Sequence, residues 1–323
     1  MNKILIYLVS GALAITGFTQ GAHAAAYPEK AVRIIVPQTP GGGTDILTRL
    51  LAQKLSQRWG QAVVVENKPG AGGIIGLEAV AKSPNDGYTL LMSSDGPQAI
   101  NVSLYKSLPY DPIRDFTPIA TVGSVSFLLA SRADLPAKDF SEFVKLSRIS
   151  PNFTFGSAGN GSLNHLIGEM INQSTNMKLM HVPYKGAAPA ITDLLGGRLT
   201  TVVATVPSIA PQIDSGALRA LAVTSAKRSV RLPNVPTISE FGYPEFGVSP
   251  WIGLLAPGNL PQALVDKINA DVNALLQEPE MREKILEQGM EPFVTTPEQF
   301  RSRLKLDIEK WGAVVKKAGV TVN

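Results

Sequence analysis

Short apolar runs alternating with amphipathic helices are the strongest constraint on how this chain can fold. "VRIIVPQ" (32–38), "AVVVEN" (62–67) and "YTLLMSS" (88–94) read as strands, with helices over 44–58 and near 74–82 between them. In the first helix Leu47, Leu50, Leu51, Ala52 and Leu55 fall mostly on one face. Strands apolar on both faces, alternating with such helices, call for a parallel sheet covered by helices on either side. The pattern restarts after "DFTPIATVGSVSFLLASRADLP", with strands at 152–158, 179–186 and 199–205 and helices near 162–174, 187–196 and 207–215. A strand at 218–225 leads into "RLPNVPTISEFGYPEFG", which reads as an irregular surface excursion. Helices near 261–277, 280–288 and 297–317 close the chain; Pro261 and Pro297 suit first turns, and Thr296 is a cap ahead of Glu298.

Those last helices have no strand-rich sheet of their own to cover. Packing them back on the first α/β unit makes the chain cross between two domains twice, at 118–132 and at 218–225. The expected division is one discontinuous domain, 25–123 plus 225–323, and a second domain, 124–224, with a cleft between them. That is the plan of a hinged binding protein; two independent domains in series is the alternative.

The start of the chain reads as an export signal. Lys3 precedes an uncharged apolar run from Ile4 to Phe18, and Ala22-His23-Ala24 supplies the small-x-small pattern of a cleavage site, so 1–24 is expected to be removed. The run falls short of the roughly 20 residues of a membrane-spanning helix. With no cysteine, disulfides, thiolate chemistry, cysteine-based zinc sites and a lipid-bearing cysteine are excluded, and the periplasm is the expected destination. The net charge of +4 is scattered, without the basic stripe that nucleic acid would require.

Two glycine-rich loops stand where strands run into helices, the position at which open α/β sheets bind ligands. "PQTPGGGTD" brings Gly41, Gly42, Gly43 and Thr44; "GSAGNGS" brings Ser157, Gly159, Gly161 and Ser162. Each can aim free N–H groups and a positive helix end at a shared cleft, or can be turn chemistry alone. Asp45 puts a charge beside the first helix start, where it can stabilise the helix or pair with Arg49 one turn on. Enzyme motifs fail: there is no G-x-x-x-x-G-K-[ST] and no G-x-S-x-G, and "GAGGIIG" (70–76) has Ile75 where the last glycine of G-x-G-x-x-G belongs. His165 lies three residues after Ser162, so a Ser–His dyad is conceivable, although a packed or capping histidine explains it better; His181 reads as structural, and no acidic cluster or HExxH suggests a metal.

Taken together, "YPEKAVRIIVPQTPGGGTD", "VENKPGAGGIIG", "DGYTLL", "FGSAGNGSLNHLIGE", "VPYKGAAPAITDLLGG", "GALRALAVTS" and "LPNVPTISEFG" resemble, in order, the Bug family. These are the periplasmic substrate-binding proteins of tripartite tricarboxylate transporters. The resemblance runs from about Tyr27 to the C-terminus and implies a two-domain, type II periplasmic-binding-protein fold. It also implies closure on a small carboxylate (di- or tricarboxylate, acidic amino acid or aromatic acid), delivery to integral membrane transporter subunits, a monomer, and no cofactor. Carried over to this sequence, the ligand carboxylate meets 40–45 through backbone amides and bridging waters, with 157–162 as the partner loop. Ser94 and Asp95 in the turn after the third strand, Tyr184, and Thr205 with Ser208 are expected to line the rest. Gln38 departs from the aromatic or apolar residue often found there and would make the pocket floor more polar. Asp95, if it faces the cleft, could meet an ammonium. Two rival readings stay open: a periplasmic hydrolase using Ser162 and His165, and a solute receptor serving a sensor kinase.

Overall fold

The structure is a computed structural model that describes residues 27–149 and 152–322; the expected export signal lies outside the described residues. In the first sheet β1 (Val32–Val36) pairs in parallel with β2 (Val63–Asn67) and β3 (Thr89–Ser94), connected through α1 (Gly43–Trp59) and α2 (Ile74–Ala81). After β3 a helix runs over 95–104; its turn Gly96–Ile100 is π-wound, and it ends as α3 (Asn101–Leu104). β4 (Phe116–Val125) then leaves the sheet and becomes β5 (Phe127–Arg132) of a second one after a single residue, Ser126. Next come α4 (Phe140–Ile149), β6 (Thr154–Ser157), α5 (Leu163–Thr175), β7 (Met180–Pro183), α6 (Ala187–Leu195), β8 (Thr201–Thr205), α7 (Val206–Asp214) and β9 (Leu218–Val223). The chain returns to the first sheet as β10 (Trp251–Pro257), followed by α8 (Gln262–Gln277), α9 (Pro279–Glu287), β11 (Met290–Pro292) and α10 (Pro297–Ala318).

The strand orders are β11-β4-β10-β3-β1-β2 and β7-β6-β8-β5-β9. Both sheets are mixed, which corrects the expectation of parallel sheets. β10 is antiparallel to β3 and β4, and β5 is antiparallel to β8 and β9. The cause is the double crossing: a strand entering from the other lobe arrives at the far end of the sheet and runs against its neighbours. The two crossings lie side by side, with Ser126 Oγ donating to Ser225 Oγ at 3.4 Å and Thr224 N–H donating to the Phe127 carbonyl at 2.9 Å.

The closing helices do pack on the first lobe. α10 starts with a capping box, Thr296 with Gln299, and buries Phe300, Leu304 and Trp311. Each such side chain is worth roughly 1.5–3 kcal/mol of burial. Phe300 comes so close to β10 that a Cβ at Gly253 would stand 2.5 Å from its ring, so only glycine fits there. α10 also touches α5 and so reaches both lobes. The proline-rich segment is irregular but not superficial. Ile238, Phe246 and Val248 are buried, and Phe140 packs against the Phe241 ring at 5.5 Å.

Candidate functional site

Where the lobes face each other they enclose a cavity of about 420 Å³. The first lobe lines it with Gly43, Thr44 and Ile46 of α1, Ser94 at the end of β3, Ile252 of β10 and Met290 of β11. The second lobe adds Leu163 at the start of α5, and Thr205, Pro207 and Ser208 at the start of α7. Val125 and Pro250 come from the crossings, and Gln288 from the turn before β11. Trp251 also lines it, while its indole turns inward onto Phe300 and donates to Asp307 at 3.0 Å.

Two helix starts open onto this space, one from each lobe, and neither is capped by a side chain. In α1 the N-cap is Gly42, and a helix start leaves the N–H groups of Gly43, Thr44 and Asp45 without intrahelical acceptors. In α7 the Val206 N–H is spent on the Ser126 carbonyl at 2.8 Å and Pro207 has none, which leaves the Ser208 N–H. The Thr205 hydroxyl donates to Ser208 Oγ at 2.9 Å instead of capping its helix. Free N–H groups and the positive end of a 17-residue helix suit an anion.

Asp45 organises the first loop from behind. Its buried carboxylate accepts the Gly41 N–H at 2.9 Å, Arg49 Nε at 3.0 Å and Asn67 Nδ2 at 2.9 Å. Burial alone would raise its pKa, but these bonds and the Arg49 charge together hold it below the usual aspartate range. Its charge is thereby matched within the loop, which leaves the helix end free to act on a ligand. Gly41 takes φ +83°, a conformation that favours glycine.

Gly43, Thr44, Ser94, Thr205 and Ser208 are thus the anticipated residues that reach the cavity. Gln38 stands behind Ser94, donating from Nε2 to the serine hydroxyl at 3.3 Å, with its own Oε1 enclosed and unpaired. Gly41, Gly42 and Asp45 shape the loop without lining the cavity.

The 157–162 loop differs from expectation, because its polar groups are largely used within the second lobe. Ser162 caps α5 by accepting the His165 N–H at 3.2 Å, and its hydroxyl donates to the Gly159 carbonyl at 2.7 Å. Ser157 pairs with His181 Nε2 at 2.6 Å and accepts the Gly159 N–H at 3.1 Å. Gly161 donates to His165 Nδ1 at 3.1 Å and lies against Leu104 of the first lobe. No Ser162–His165 side-chain pair forms; the imidazole stacks on His181 with ring centroids 3.6 Å apart.

Tyr184 turns away from the cavity and donates its hydroxyl to Asp193 at 2.8 Å. Asp95 is corrected outright. Only 1% exposed, it points into the first lobe and accepts the Trp251 N–H at 2.6 Å and the Trp311 indole N–H at 3.3 Å. A buried carboxylate needs such donors, and at this burial the group does not line the cleft cavity.

The matching family model is described as the tripartite tricarboxylate transporter family receptor, and it covers residues 47–320. The chain belongs to this family. Among curated relatives of the receptor, BugT of Bordetella pertussis is 38% identical over 322 residues, covering 99% of each chain. Among solved structures, an R. palustris protein with adipate is 36% identical with a TM-score of 0.79, covering 92% of this chain and 100% of that one. MatC from Rhodopseudomonas palustris, with bound malate, is 30% identical with a TM-score of 0.73, covering 90% and 100%. The receptor fold, two α/β lobes with a hinge of two crossings and a cleft between them, is that of the periplasmic binding proteins.

The apolar wall of the receptor cavity, Ile46, Val125, Leu163, Pro207, Ile252 and Met290, was missed by sequence reasoning. The signal that could have found Ile252 is "WIGLLAP", a fully buried seven-residue run in the middle of the sheet.

Proposed function

We propose that this chain is a periplasmic solute receptor that takes a small carboxylate into the cleft and delivers it to the integral membrane subunits of a tripartite tricarboxylate-type transporter. The observation that carries this reading is the pair of uncapped helix starts, α1 and α7, opening on one cavity from opposite lobes. A carboxylate there collects N–H bonds from both sides, and closure excludes water and strengthens them. The adipate-bound and malate-bound relatives support the ligand class. The export signal read at 1–24 supports the periplasm. The moving bodies are the domains 25–123 plus 225–323 and 124–224, hinged where Ser126 meets Ser225. The receptor works as a monomer and without a cofactor.

Binding without turnover is favoured because Ser162 has its hydroxyl bonded to a carbonyl and its nearest histidine turned elsewhere, so no base is placed to activate it. The test is a thermal-shift screen of protein purified from the exported fraction and refolded to strip copurified solute. A carboxylate at a hundred times its dissociation constant is expected to add about 2.7 kcal/mol of stability, lost when the carboxylate is amidated. Shifts from uncharged or cationic solutes alone would reject the reading.

A further inference from the structure

We propose that the occupant of this cavity is a carboxylate with an unsubstituted hydrocarbon body and no ammonium group. The inference rests on the carboxylate reading above and narrows it by charge and by wall chemistry. None of the lining residues carries an ionisable side chain. An α-ammonium sits one carbon from its carboxylate, so a carboxylate bound at the start of α1 would press that ammonium against the same positive helix end. It would need an acidic partner, and the neighbouring acids are engaged. Asp45 has both oxygens occupied by Arg49, Asn67 and the Gly41 N–H. Asp95 is sealed against Trp251 and Trp311. Glu291 lines a separate pocket of about 150 Å³ together with Arg231. A buried ammonium without a counter-charge is strongly disfavoured.

The wall decides the rest. Between the α1 and α7 ends the cavity presents Ile46, Val125, Leu163, Ile252 and Met290, which offer apolar contact and no hydrogen-bonding side-chain group. A methylene chain or an aromatic ring loses nothing there. Hydroxyls spaced along a ligand body would be stripped of water and left unpaired. The hydroxyls gather at the two helix starts, Thr44 with Ser94 and Thr205 with Ser208, and the Gln288 amide is the further polar side chain in the lining, so polar atoms belong at the ends of the ligand or opposite Gln288.

The test is calorimetric titration of the refolded, exported protein with matched probes. These are adipate against 2-aminoadipate, 3-phenylpropionate against phenylalanine, citrate, and the amides of the two hydrocarbon acids. The expected result is that at least one hydrocarbon acid binds, with its amino partner and citrate each weaker by about tenfold or more. Ile46→Asp, which sets a carboxylate on the cavity wall, is expected to swing the ratio toward the amino partner by about tenfold. An amino acid or citrate that binds as well as the hydrocarbon acids overturns this inference and leaves the carboxylate reading standing. An unchanged ratio in the Ile46→Asp protein also counts against it. Amides that bind as well as their acids, or no response to any acid, overturn the carboxylate reading itself.

Discussion

Asp95 accepts the main-chain N–H of Trp251 at 2.6 Å, tying the turn after β3 to the first residue of β10 behind the cavity wall. Burial first, and then the nearby Asp307 charge, push the Asp95 carboxyl up to about 7, against the pull of the Trp251 and Trp311 N–H bonds and the Arg303 charge. The folded pKa therefore stands above the ordinary value of 3.8. As pH rises from about 4 to about 7 the unfolded chain gives up this proton and the folded one keeps it, so this group costs stability progressively. Asp95→Asn removes the titration while keeping an acceptor for Trp251. The stability of the parent protein relative to Asp95→Asn is expected to fall by more than about 1 kcal/mol over that range, read by denaturant melts. A constant difference would refute the assignment.

Gly43 offers a direct test of the backbone anion site. It is the first residue of α1, Gly42 before it is extended with φ −76° and ψ 163°, and a Cβ would meet nothing nearer than the Met290 sulfur at 3.8 Å. Those are the conditions that proline tolerates at a helix start. Gly43→Pro is therefore expected to fold normally and to lose one N–H donor to the ligand. Affinity should fall about tenfold or more, the worth of a hydrogen bond to a charged group, with the melting temperature of the ligand-free protein unchanged or raised. Unchanged affinity would place the carboxylate elsewhere.

Ser162→Ala separates a cap from a nucleophile. Ser162 holds the start of α5 through the His165 N–H, so its loss is expected to cost about 1 kcal/mol of stability. Ligand affinity should drop by less than in Gly43→Pro, because the hydroxyl is committed to the Gly159 carbonyl. Turnover of a carboxylic ester by the parent protein that vanishes in Ser162→Ala would instead favour the hydrolase.

The sequence made most helices and most strands legible because their apolar faces repeat at helical or strand spacing, as Leu47, Leu51 and Leu55 do in α1, whereas α4 and the helix over 95–104 went unread. β10 was missed because "WIGLLAP" follows a long proline-rich stretch and precedes another glycine, and its antiparallel direction depends on the chain having crossed lobes twice. The site was half legible. Glycines before a helix announce open N–H groups, and the first loop presents them. Residue type does not say which hydroxyl turns back on its own helix: Ser162 caps α5, whereas Thr205, an equally good capping residue, leaves α7 uncapped and bonds Ser208. Nor can a lone Asp95 reveal that two tryptophans far along the chain will enclose it.

The stacked histidines give the second lobe an acid sensitivity of opposite sign to that of Asp95. Burial pulls the pKa of His165 from 6.5 to about 4, and burial with the neighbouring His165 pulls His181 to about 4 as well. Their folded pKa values lie below the unfolded ones, so as pH falls from about 6.5 to about 4 the unfolded chain takes up protons first and stability is lost. Protonation also breaks the bond in which His165 Nδ1 accepts the Gly161 N–H. His165→Asn keeps an acceptor at the Nδ1 position, and His181→Gln keeps a partner for Ser157 where Nε2 stood. The double variant is expected to hold its melting temperature across pH 6.5 to 4 better than the parent by several degrees, once the Asp95 contribution is removed by making both measurements in the Asp95→Asn background. If the two proteins lose stability in parallel, the histidines titrate normally and the stack is not the source of acid sensitivity.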